Sequence, residues 1–509
     1  MQRTNVLEYL DDAARRFPTK PAFCDNNLQL TFSELDKRSR AIGSALTGIR
    51  GEPVVVFMQK GPAAVSAFFG VLRAGGFYVP LDEEMPRHRI ELIFEALQPG
   101  VVICDHTTKA ALEDLNFAGQ ALDYNNLIQA TIDEPALQNI RGSAIDIDPI
   151  YVVFTSGSTG KPKGVVACHR SVIDYIENLS QVLRVSESTT FGNQAPLYVD
   201  ACLKELFPTL KFGACTWFIP KSYFSFPLKL IEYLNEKRIN TVCWVASAFT
   251  MVAALRILDE LVPRHLHTIA FGSELFHVKQ LNAWRTACPG ARFINLYGPT
   301  EATGMSCYYE LPADFSGARV PIGKAFRNTD VFLLDEHNRR VTQPNQPGEL
   351  CIRGTCLTLG YYADEARTAQ SFTQNPLHNR YGELIYRTGD LGEYDQDGQL
   401  VFLSRKDFQI KRAGYRIELG EIESAALGID GVAAACCLFD EAKKKLVLCY
   451  VADIPRAELQ AQLSIKLPQY MLPSVFHRLN EMPLTPNGKI DRNGLKENFL
   501  HGKVTCPAQ

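Results

Sequence analysis

The chain has 509 residues, too many for one compact core, and its 46% hydrophobic and 21% charged content is that of an ordinary soluble globular protein with a large and a smaller domain. A formal charge of -3, from 53 Lys and Arg against 56 Asp and Glu, offers no basic surface for nucleic acid. Fourteen cysteines spread from Cys24 to Cys506 with no CxxC pair argue against a zinc site or a disulfide framework and fit a reducing cytoplasm.

In chain order, the first segment alternates charged and apolar residues at helical spacing, unlike the unbroken apolar stretch of a signal peptide, and no later run is long enough to span a bilayer. A β-branched run at 53–57 predicts a strand, 63–74 a helix, and 77–80 a second strand. Further strands are expected at 101–104, 241–245, 267–270 and 292–295, so the fold class is α/β with largely parallel sheets. Between about Val320 and Phe402 the texture changes to strands separated by Gly, Asn and Asp turns, a more β-rich subdomain. From about Phe408 a small α+β unit is expected, with helices at 420–427 and 457–467 and strands at 432–439 and 445–451. The boundary falls at Arg405-Lys406-Asp407, giving a large domain over 1–405 and a small, mobile C-terminal domain over 406–509.

The strongest local signal is Tyr-Val-Val-Phe-Thr-Ser-Gly-Ser-Thr-Gly-Lys-Pro-Lys-Gly-Val over 151–165. An apolar strand enters a loop (Thr155, Ser156, Gly157, Ser158, Thr159, Gly160, then Lys163) whose hydroxyls, backbone N–H groups and lysines suit the wrapping of phosphate oxygens. It is no Walker A loop, because Gly160-Lys161 is followed by Pro162 where Ser or Thr would bind Mg2+.

With this loop, six other elements stand in order: Leu-Thr-Phe-Ser-Glu-Leu at 30–35, Leu-Arg-Ala-Gly-Gly-Phe-Tyr-Val-Pro-Leu-Asp at 72–82, Asn-Leu-Tyr-Gly-Pro-Thr-Glu at 295–301, Gly-Glu-Leu-Cys-Ile-Arg-Gly at 348–354, Tyr-Arg-Thr-Gly-Asp at 386–390 and Pro-Asn-Gly-Lys-Ile-Asp at 486–491. By these motifs, over nearly its whole length, the sequence resembles the adenylate-forming superfamily of acyl-CoA synthetases, luciferase-like enzymes and adenylation domains of nonribosomal peptide synthetases. The resemblance implies ATP and Mg2+ as cofactors. It places Asn295, Tyr297 and Gly298 at the nucleotide, with Tyr297 stacked on adenine, Thr300 on phosphate and Glu301 as the Mg2+ ligand. Asp390 and Arg405 become ribose contacts, and Lys489 the catalytic cation between substrate carboxylate and α-phosphate. Asp407 becomes the hinge of a small domain that turns between an adenylating and a thiolating pose, with Gly414 on the thiol's approach.

Asp200 falls where amino-acid-activating members carry an aspartate for the substrate ammonium, and such a carboxylate in an apolar pocket is costly unless it meets a cation. The remaining pocket positions are Ala201, Lys204, Ala248, Ile269, Phe271, Leu296, Gly304 and Met305. The bulk of Phe271 implies a shallow cavity and a small side chain, whereas an inward-facing Lys204 would favour an acidic or polar one, so the substrate's identity stays open. The expected reaction activates an amino acid as its adenylate and transfers it to the phosphopantetheine thiol of a separate carrier protein, in a cytoplasmic monomer. The stand-alone layout is similar to D-alanine carrier protein ligases, although Ala201, Lys204 and Phe271 depart from them. A fatty- or aromatic-acid CoA ligase is the alternative, against which Asp200 speaks.

Overall fold

The computed structural model describes residues 3–157, 161–406, 409–484 and 490–500. Ser158, Thr159, Gly160, Asp407 and Lys489 therefore lie outside the described residues. By internal contacts the chain divides into one unit of residues 1–83, 97–154 and 164–406, and a second of 84–96, 155–163 and 407–509.

The first unit carries three sheets. One has six strands in the order Gln120–Asp123, Val101–Cys104, Pro53–Phe57, Phe77–Leu81, Pro149–Thr155 and Lys163–Cys168. Pro53–Phe57 pairs in parallel with both neighbours, and all five of its residues are buried, as expected of a strand covered on both faces. The helices Phe32–Ala45 and Pro62–Arg73 cross closely, because a Cβ on Gly70 would stand 2.4 Å from Ile42 Cγ2.

The second sheet has nine strands, with Thr190–Asn193, Thr241–Val245, Thr268–Gly272 and Arg292–Tyr297 adjacent and parallel at its centre. Alternation along these strands sorts side chains between two cores. Cys243, Ala270, Ile294 and Leu296 belong to one, Trp244, Ile269, Phe271 and Phe293 to the other. Across the third, β-rich sheet the long strand Leu384–Tyr394 pairs antiparallel with Gly348–Gly354 and Leu400–Arg405. A short helix, Glu365–Ser371, interrupts that region where strands and turns alone were expected; the Asp364 side chain caps it by accepting from the Arg367 N–H.

In the second unit the hairpin Gln409–Arg412 with Tyr415–Glu418 turns through Ala413 and Gly414, both at positive φ. Helix Leu419–Leu427 follows, then the antiparallel strands Val432–Asp440 and Lys445–Ala452, with Val475–Arg478 parallel to the latter. Arg89 and Glu421 form a buried ion pair at 2.6 Å in this unit. Among the described residues, no helix is long and apolar enough to cross a membrane.

Candidate functional site

In the β-rich part of the first unit, antiparallel pairing sets Asp390 directly opposite Arg405. Their side chains form an ion pair through Oδ1, while Tyr297 donates its hydroxyl to Asp390 Oδ2 at 2.5 Å. Thr388 Oγ1 accepts from the Asp390 N–H at 2.9 Å and donates to Leu350 O at 2.7 Å, which fixes the backbone beneath the carboxylate. Burial, then the adjacent Asp390 charge, pushes the Tyr297 hydroxyl well above its ordinary pKa, so it remains a donor. Three of the residues assigned to the nucleotide thus meet in one cluster.

Tyr297 ends its strand at Gly298, where a Cβ would lie 2.4 Å from Gly304 O and 2.5 Å from Met305 Cα. The chain folds back on itself there, and only glycine leaves room. A three-residue 3-10 turn, Thr300–Ala302, follows, then Thr303 and Gly304 at positive φ. Glu301 in that turn is fully buried; Tyr361 Oη donates to its Oε1 at 2.8 Å, and its backbone carbonyl accepts from the Thr358 N–H and hydroxyl. The Asn295 amide is engaged elsewhere, donating to Pro321 O at 2.8 Å. Thr300 is half-buried beside Glu301.

The phosphate-loop residues that are described belong to the second unit. Ser156 donates its hydroxyl to Arg416 O at 2.7 Å. Burial lifts the Glu421 carboxyl above its usual range in spite of Arg89. The Thr155 hydroxyl is buried with no partner among the described residues, and Lys163 opens the strand Lys163–Cys168.

Asp200 begins a 3-10 turn, Asp200–Cys202, that runs into helix Leu203–Phe212. Near it are two tyrosines that carry no functional sign in the sequence, Tyr151 on its strand and Tyr175 on helix His169–Leu183. Both hydroxyls are buried without a partner among the described residues, and after burial the Asp200 charge acts most strongly on each, raising their pKa values. Tyr175 also borders Gly304, since a Cβ there would lie 3.4 Å from its Oη. Ala201 and Met305 pack with Leu296 in the same core. Lys204 and Glu205 are buried at the start of the helix, and burial pushes the Glu205 carboxyl up to about 7 although Lys204 and Lys60 oppose the shift. Ala248, Ile269 and Phe271 lie in the other core, where Phe271 packs edge-on against Phe276 at 5.0 Å.

With this geometry in view, the comparisons with known proteins agree. The AMP-binding enzyme family model matches residues 10–362, and the AMP-binding enzyme C-terminal domain model residues 421–489. Tyrocidine synthase 1 of Brevibacillus parabrevis is 32% identical over 98% of this chain, which spans 45% of that relative. The solved structure of PA1221, a nonribosomal peptide synthetase protein containing adenylation and PCP domains, superposes with TM-score 0.82 at 24% identity, covering 97% of this chain and 84% of that one. MenE of Bacillus subtilis, an o-succinylbenzoate CoA synthetase, superposes with TM-score 0.83 at 21% identity, covering 97% and 98%. The chain belongs to the AMP-binding enzyme family. The chain spans less than half the length of the first curated relatives it matches.

Proposed function

We propose that the chain uses ATP and Mg2+ to activate an amino acid as its aminoacyl-adenylate, then transfers the acyl group to the phosphopantetheine thiol of a carrier protein. The observation that carries this reading is Asp200 beside the buried Tyr151 and Tyr175 hydroxyls. Asp200 is half-buried at the turn that opens helix Leu203–Phe212, and a substrate α-ammonium is a cation that its carboxylate would hold. PA1221, which joins adenylation and PCP domains in one protein, makes a carrier thiol a natural acceptor, whereas MenE shares the fold with CoA named in its activity. The fold is common to both acceptors, so Asp200 carries the choice.

In the first step a substrate carboxylate oxygen bonds to the α-phosphorus as the bond to pyrophosphate breaks. In the second, the carrier sulfur bonds to the acyl carbon and AMP leaves. Asp390 and Arg405 would take the ribose hydroxyls, and Tyr297 the adenine face. Glu301 would hold Mg2+, an ion bound through one or two carboxylates together with substrate phosphates, and the ion would neutralise phosphate charge against the incoming carboxylate. The Ser/Gly/Lys loop would take the phosphates, Lys489 the charge developing at the α-phosphorus, and Asp407 the turning of residues 406–509. ATP–pyrophosphate exchange with a panel of amino acids and of acids lacking an amine tests the reading: exchange with amino acids is expected, and exchange only with the amine-free acids would overturn it.

A further inference from the structure

Lys204 stands in the first turn of helix Leu203–Phe212 with only 3% of its surface exposed, and it makes no hydrogen bond or ion pair among the described residues. Its stem is packed into the fold, which holds the ammonium close to the start of this helix instead of letting it extend freely from the surface. A lysine held this way has given up part of its hydration without gaining a hydrogen bond in return, which favours an incoming counter-ion.

The surrounding charges give that counter-ion its sign. Lys60 donates to the Asn193 and Gln194 carbonyls at 3.3 and 3.0 Å, and Glu205 Oε2 accepts from Asn193 Nδ2 at 3.1 Å while Oε1 has no partner. The buried Cys202 thiol feels Glu205, Asp200, Lys60 and Lys204 together, which places all four charges around one point. Once a substrate ammonium has taken Asp200, the carboxylates of Glu205 and Asp82 stand against Lys60, Lys204 and Lys221. One positive charge is left over, with the unpartnered Tyr151 and Tyr175 hydroxyls ready to donate nearby.

We infer that the acid activated here is an amino dicarboxylic acid whose side-chain carboxylate pairs with Lys204. The inference rests on the amino-acid reading above and narrows it to one chemical class.

The test is pyrophosphate exchange on the full chain with aspartate and glutamate against asparagine, glutamine, alanine, glycine and amine-free diacids. Aspartate or glutamate is expected to exceed its own amide by about 100-fold or more in kcat/KM, since the amide leaves the ammonium unpaired. Lys204→Met should remove that preference, and it should raise the Tm of the ligand-free protein because an unpartnered buried charge is gone. Lys204→Gln serves the same exchange measurement if the methionine variant folds poorly. Exchange best with neutral amino acids, at a ratio Lys204→Gln leaves unchanged, would overturn this inference while leaving amino-acid activation standing. Exchange confined to amine-free diacids would instead overturn the amino-acid reading itself.

Discussion

Two polar clusters in the first unit are built on opposite plans. At Asp390 each carboxylate oxygen already has a protein donor, Arg405 on one and Tyr297 on the other. Around Asp200, the buried Tyr151 and Tyr175 hydroxyls and one oxygen of Glu205 have no partner among the described residues. A cluster that satisfies itself holds its shape whether or not ligand is present, which suits a nucleotide common to every turnover. One that does not would, on the proposed function, be completed only by a particular acid, and the desolvation already spent on its groups would become discrimination against acids that cannot complete it.

The largest expected effect involves neither cluster and so calibrates both. Lys489→Ala should lower kcat for adenylate formation about 10³-fold with little change in the KM for ATP, because the lost charge is needed mainly in the transition state. Single-turnover pyrophosphate release beside equilibrium ATP binding would separate the two terms; an unchanged rate would remove Lys489 from the mechanism.

Next come the clusters themselves. Asp200→Asn should reduce kcat/KM for the amino acid about 100-fold or more, as expected when one partner of a buried charge pair is neutralised. Its effect on the KM for ATP should be slight, and equal losses in both would place Asp200 outside the acyl pocket. Asp390→Ala should behave in the other way, raising the KM for ATP about tenfold and lowering folded stability by about 1–3 kcal/mol as Arg405 and Tyr297 lose their acceptor. Urea unfolding would read that loss. The contrast fails if Asp390→Ala leaves stability intact.

Much of the fold was legible in the sequence because these strands are buried on both faces and appear as unbroken apolar runs. The strands at 53–57, 101–104 and 241–245 lie where the residues placed them. The next strand runs Thr268–Gly272, past the expected end at Ala270, because Gly272 looks like a breaker in sequence; in the structure its bare Cα lets Leu296 O approach to within 2.4 Å of a would-be Cβ. Helix Glu365–Ser371 buries no residue, so it left no periodic apolar trace to find. Motif order marked Asp390, Arg405 and Tyr297 as a group, and the structure joins them. Tyr151 and Tyr175 escaped notice because a tyrosine in an apolar run looks like core, and the absence of a hydroxyl partner is a three-dimensional property. Nor did anything local mark residues 84–96 and 155–163 as packing with the C-terminal segment.

The smallest expected effect tests whether the second cluster is as ill-satisfied as its geometry indicates. Glu205 is fully buried, and burial raises its carboxyl from the ordinary 4.5 to about 7. A carboxyl whose folded pKa lies above its unfolded one holds more protons in the native state, so its contribution to stability is full below about pH 4.5 and is lost as pH rises through about 7. Between pH 5 and 7.5 the wild-type protein should therefore lose roughly 2 kcal/mol that Glu205→Gln does not lose. Paired urea titrations at the two pH values measure the difference. A bound acidic substrate adds a carboxylate beside Glu205 and should push its pKa higher still, steepening the wild-type slope, whereas a neutral amino acid should not. Parallel slopes for wild type and Glu205→Gln would mean that Lys60 and Lys204 already hold Glu205 ionised throughout this range, so that burial does not raise its carboxyl.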